Sequence, residues 1–97
     1  MSTTIDYYKS PLGLSVYQFS GDENITITGN VSKKYTIKEF DSAYDFEEYI
    51  QEKIDCSGID FDSEYGQFFA YAKSPERAVE WVKSVEKWFE HVREVVG

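Results

Sequence analysis

From Ala78 onward, apolar residues recur at alternating steps of four and three: Ala78, Val82, Val85, Phe89, Val92 and Val96. That spacing is the repeat of one helix face, and a face this long has to be covered by something equally apolar. The start of the helix is written just as clearly. Ser74 is a cap residue, Pro75 occupies a first helical position where its missing N–H costs nothing, and Glu76 suits the positive end of the macrodipole.

What covers the helix is read from the rest of the chain. Segments 3–8, 14–19, 25–28 and 34–40 are rich in Ile, Val, Thr and Tyr and predict four strands. Ser10-Pro11-Leu12-Gly13, Ser20-Gly21-Asp22-Glu23-Asn24 and Gly29-Asn30 separate them with turn residues, so an antiparallel meander is expected. After Phe40 the period lengthens. Ala43, Phe46, Ile50 and Ile54 predict a first helix, capped by Asp41 or Ser42 and ended by Ser57-Gly58. A loop through Asp60 and Asp62 leads to a strand over 67–72, whose Phe68, Phe69 and Tyr71 predict a covered, central place in the sheet.

The expected fold is α+β: an antiparallel sheet of about five strands, in the order ββββαβα, with two helices packed on one face. Its 97 residues, 41% hydrophobic with 17 aromatics, suit one domain with one core, residues 1–97. No repeat or low-complexity segment interrupts the chain.

Charge is distributed unevenly. Between Glu39 and Glu64 lie ten acids and one base, Lys53, for a net of −9, although the whole chain carries −8. The remaining residues balance to +1. Phosphate binding requires clustered Lys and Arg, so nucleic acid is not expected as a direct ligand, and a partner with a basic surface is.

On the first helix Asp41, Asp45, Glu48, Glu52 and Asp55 fall within about 80° of one another, opposite the apolar face. An ordinary solvated face intersperses Lys four residues on, and each such pair stabilises by about 0.2–0.5 kcal/mol; like-charge neighbours cost similar amounts. The acids therefore predict a functional ridge about 20 Å long, extended by Asp60, Asp62 and Glu64. Tyr44 and Tyr49 are expected to be exposed beside it and to add contact area.

Other chemistries fit poorly. Asp60, Asp62 and Glu64 alternate like the opening of a calcium loop, but Tyr65 and Tyr71 stand where that loop needs Gly and Glu. His91 and Cys56 are single, so they build no zinc site, and they form a catalytic pair only if the fold joins them. No phosphate loop, nucleophile elbow or HExxH occurs. No metal, no cofactor and no enzymatic activity are expected. Trp81 and Trp88, seven residues apart beside the stripe, are either core or, if exposed, a surface for self-association, leaving monomer or homodimer open.

No charged-then-apolar leader begins the sequence and no apolar run reaches membrane-spanning length, so a cytoplasmic protein without membrane contact is expected. The lone Cys56 agrees with a reducing compartment, and Asn24-Ile25-Thr26 and Asn30-Val31-Ser32 are read as turn and strand residues that happen to match the glycosylation pattern. The expected function is a small acidic binding protein that occupies the nucleic-acid-binding surface of a larger protein. In size and charge it is similar to DNA mimics and to phage-encoded anti-CRISPR or other anti-defence inhibitors. The competing expectation is a structural or regulatory subunit that self-associates through the C-terminal helix or an open sheet edge.

Overall fold

The computed structural model describes residues 3–29, 42–64 and 66–96. Three strands come first, β1 (Thr4–Lys9), β2 (Leu14–Phe19) and β3 (Ile25–Gly29), followed by α1 (Ala43–Lys53), β4 (Asp60–Phe61), β5 (Phe68–Ala72) and α2 (Pro75–Val96). They form one antiparallel sheet in the order β1-β2-β3-β5-β4. The fold is α+β, with the meander and the interior position of β5 as expected. The fifth strand is β4 within the expected loop, while the expected strand 34–40 lies outside the described residues.

The turns form for local reasons. Between β1 and β2, Ser10 N–H donates to Leu14 O at 2.7 Å, Gly13 N–H to Ser10 O at 3.0 Å, and Leu12 N–H to Ser10 Oγ at 3.1 Å. Gly13 closes that turn with φ 87°, a conformation an L side chain resists.

Both helices start on serine. Ser74 Oγ accepts from Arg77 N–H at 3.2 Å, and Ser42 Oγ accepts from Asp45 N–H at 3.4 Å, which selects Ser42 as the first cap. α1 ends sooner than the Ser57-Gly58 signal predicts. Ile54 already has extended backbone, with φ −134° and ψ 165°. Arg77 on α2 fastens the chain just past this exit: its Nε donates to Ser57 O at 2.8 Å and its Nη2 to Asp55 O at 3.1 Å.

Alternate residues of the inner strands meet the helices. Leu14, Val16, Ile25, Ile27, Phe68 and Ala70 are buried with Ala43, Phe46 and Ile50 of α1 and with Ala78, Trp81, Val82, Val85 and Phe89 of α2. Each such large side chain contributes about 1.5–3 kcal/mol by leaving water. Aromatic rings form the centre: Phe68 stacks on Trp81 with centroids 5.7 Å apart and meets Phe46 edge-on at 5.1 Å. α2 crosses β1, β2, β3 and β5, whereas α1 rests over β5. Consequently α1 lies at the β4 end of the sheet, and β1 is the opposite edge.

Candidate functional site

Burial of Ala43, Phe46 and Ile50 fixes the rotation of α1 about its axis. Asp45, Glu48 and Glu52 then point away from the core, and all three are exposed. Seven residues separate the first from the last, so this ridge extends about 10 Å. Tyr44, 50% exposed, stands beside it as expected. Glu47 is off the ridge and only partly exposed.

The wider acidic surface does not form as one piece. Asp41 lies outside the described residues, and Asp55 lies beyond the end of α1. The Asp55 carboxylate accepts from Ser57 Oγ at 2.5 Å and from Ser57 N–H at 3.0 Å. Those two bonds, with the nearby Arg77 guanidinium adding a smaller effect, hold its pKa below the usual carboxylate range. Asp55 therefore shapes a turn.

Asp60 pairs with Tyr71, whose neighbours Ala70 and Ala72 face the helices, so the Asp60 side chain is on the opposite face of the sheet from α1. Phe61 turns the other way, with its ring 5.9 Å from those of Phe68 and Trp81. Asp62 N–H donates to Phe69 O at 2.9 Å and Glu64 bridges to Gln67, so both are placed by the short edge segment. The continuous ridge expected from sequence is corrected to two sets: Asp45, Glu48 and Glu52 on α1, and Asp60, Asp62 and Glu64 along the β4 edge. Both sit at the same end of the sheet.

The base within this segment is turned elsewhere. Lys53 Nζ lies 5.6 Å from the ring centroid of Tyr49 and 5.9 Å from that of Trp88, a cation–π placement toward α2. Among the described residues, no ion pair engages Asp45, Glu48, Glu52, Asp60, Asp62 or Glu64.

Tyr49 is also corrected, and of the two alternatives for Trp81 and Trp88 the packing selects core. Tyr49 is half-buried: its hydroxyl accepts from Trp88 Nε1 at 3.0 Å and its ring stacks 6.1 Å from Phe89. Trp81 is 0% exposed and donates from Nε1 to Cys56 Sγ at 3.2 Å, so it offers nothing to a second subunit. Trp88 is half-buried against the core. The cause is common to all three. α2 spans most of the sheet and also flanks α1, so its buried arc is wider than the stripe alone implies.

Cys56 and His91 are not brought together. Cys56 touches Trp81, and His91 follows ten residues later on α2, about 15 Å along the axis. Burial raises the Cys56 pKa, the opposite of what an attacking thiolate requires. Among the described residues, no group of three or more His, Cys, Asp or Glu could hold a metal ion, and no helix is long and apolar enough to cross a membrane.

The outer edge of β1 is, among the described residues, an open sheet edge of the kind the competing expectation requires, and its apolar side chains are not singled out by pattern. Ile5, Tyr7 and Phe19 are exposed there, and Asp6, Lys9, Tyr17 and Phe19 border a shallow groove of about 360 Å³ on the sheet face away from the helices. Comparison with protein-family models, with curated proteins and with solved structures found no match to this chain.

Proposed function

We propose that this chain is a non-enzymatic binding protein whose α1 outer face docks on a Lys/Arg-rich surface of a larger protein and competes there with nucleic acid. One observation carries this reading: Asp45, Glu48 and Glu52 are exposed, like-charged neighbours on one helix face, and Lys53 is turned away from them. Each like-charge pair costs the helix about 0.2–0.5 kcal/mol, a cost that local stability does not explain and a basic partner would reverse.

The dimensions fit a short stretch of phosphate backbone. Three carboxylates over about 10 Å cover the length of about four phosphates of one strand at about 3.4 Å of axis per step. Asp60, Asp62 and Glu64 at the same end of the sheet would enlarge the negative field and speed encounter, while Tyr44 would add contact area beside the ridge.

The test is capture of a basic, nucleic-acid-binding protein by the full chain at low and at high ionic strength, with duplex DNA as competitor. Capture should weaken with salt, yield to DNA and disappear in the triple variant Asp45→Lys, Glu48→Lys, Glu52→Lys. Capture indifferent to both salt and the triple variant overturns the reading.

A further inference from the structure

β1 is a six-residue edge strand, and among the described residues nothing pairs with its outer side. Such an edge presents a row of backbone donors and acceptors ready for another strand. Three of the four large hydrophobic side chains exposed among the described residues cluster at it: Ile5 at 55%, Tyr7 at 37% and, opposite Thr4, Phe19 at 41%. Among the described residues the edge is thus both open and apolar.

Its charges are arranged in a particular order. Thr4, Asp6 and Lys9 pair with Phe19, Tyr17 and Ser15, and directly opposed residues share a face, so these three side chains lie on the side away from the helices. A bulge between Asp6 and Tyr8 makes this possible, because it brings Asp6 and Lys9, three apart in sequence, to successive positions on that face. Neither side chain is held in an ion pair among the described residues.

We propose that β1 pairs antiparallel with β1 of a second copy, about a two-fold axis at Tyr7–Tyr8 that sets Asp6 of each chain opposite Lys9 of the other. Charge selects this register. Slipping by two positions sets Asp6 against Asp6, and slipping by one turns every side chain to the wrong face. Against a foreign strand, the two charges and the bulge discourage pairing. A strand carrying the reversed charge order is accepted, and β1 read in the opposite direction has that order.

The location agrees with the choice of partner. The acid-rich segment is at the β4 end of the sheet, whereas β1 itself carries one acid and one base. Pairing through β1 would make a ten-stranded sheet whose acidic ends are separated by nine strand spacings, about 43 Å, several times the screening length at physiological salt. This inference does not depend on what α1 binds.

Sedimentation of the full chain over a range of concentrations tests it. The chain should form a dimer, and Asp6→Lys or Lys9→Asp alone should weaken that dimer about tenfold by replacing two attractive pairs with repulsive ones. The double exchange should restore it, and an equimolar mixture of the two single variants should form a heterodimer. The triple α1 variant should dimerise like the parent chain, which separates this interface from the acidic face. A chain that is monomeric throughout, or a dimer indifferent to the single exchanges, overturns the proposal. Both positions are exposed, and circular dichroism verifies that each variant is folded.

Discussion

Trp88 Nε1 donates to the Tyr49 hydroxyl at 3.0 Å, a bond between residues 39 positions apart that ties the middle of α2 to the flank of α1. Phe89 stacks on Tyr49 from the next position along α2, so the joint is both polar and aromatic. Tyr49→Phe keeps the ring and removes the acceptor. It should cost about 0.5–1.5 kcal/mol in urea unfolding, and a double-mutant cycle with Trp88→Phe should return a coupling of about 1 kcal/mol. Additive costs would show that the two helices meet independently of this bond.

β3 contains two positions with opposite expectations. Thr26 is buried, and among the described residues its Oγ1 has no hydrogen-bond partner. Thr26→Val replaces that hydroxyl with a methyl of similar shape and should raise stability by about 1 kcal/mol. Gly29 has no such latitude: a Cβ there would lie 2.7 Å from Gly13 O and 2.7 Å from Leu14 Cδ2. Because backbone must shift to admit it, Gly29→Ala should cost about 1–3 kcal/mol. Thermal unfolding of both variants measures the two signs.

Tyr8 donates its hydroxyl proton to Glu86 Oε2 at 2.6 Å, joining β1 to α2. This hydrogen bond, then partial burial, then the carboxylate charge hold the phenol neutral and raise its pKa above the ordinary value. Between the unfolded value, about 10, and the higher folded value, the native chain holds a proton that the unfolded chain has released, so stability falls as pH rises through that window. Below it the contribution is constant. The stability difference between the parent chain and Tyr8→Phe should therefore be flat to about pH 10 and shrink above it. A difference that grows with alkalinity would contradict the assignment.

The elements legible in sequence are those whose signals are local. Ser74-Pro75-Glu76 and the stripe after it mark α2, and Pro11, Gly13 and Gly21 separate the meander, because capping and turn geometry are set within a few residues. β4 is not legible in sequence because Asp60–Phe61 is a strand only through its pairing with β5 and the insertion of Phe61 beside Trp81. Tyr49 and Trp81 are ambiguous in sequence for a related reason. Each adjoins the apolar stripe of its helix, and whether such a position is rim or core depends on the width of what packs against it. Asp55 is off the ridge because a helical wheel extends only as far as the helix, and α1 stops at Lys53; Asp60 is off it because pairing with Tyr71 turns its side chain to the other face of the sheet. The bulge that aligns Asp6 with Lys9 has no composition signal, since the tertiary register creates it.

Glu48 is the residue at which stability and the proposed binding role separate. It lies between Asp45, three residues before, and Glu52, four residues after, on an exposed helix face, so it takes part in two repulsive pairs. Glu48→Lys turns both into attractive pairs and should stabilise the chain by about 0.5–1 kcal/mol in urea unfolding. The same substitution removes the central carboxylate of the ridge and should abolish salt-sensitive capture of a basic partner. A face kept only for solubility would show the first effect without the second. A loss of stability would instead mean that Glu48 helps to hold the fold, and the α1 surface would then have no charge to spare for binding.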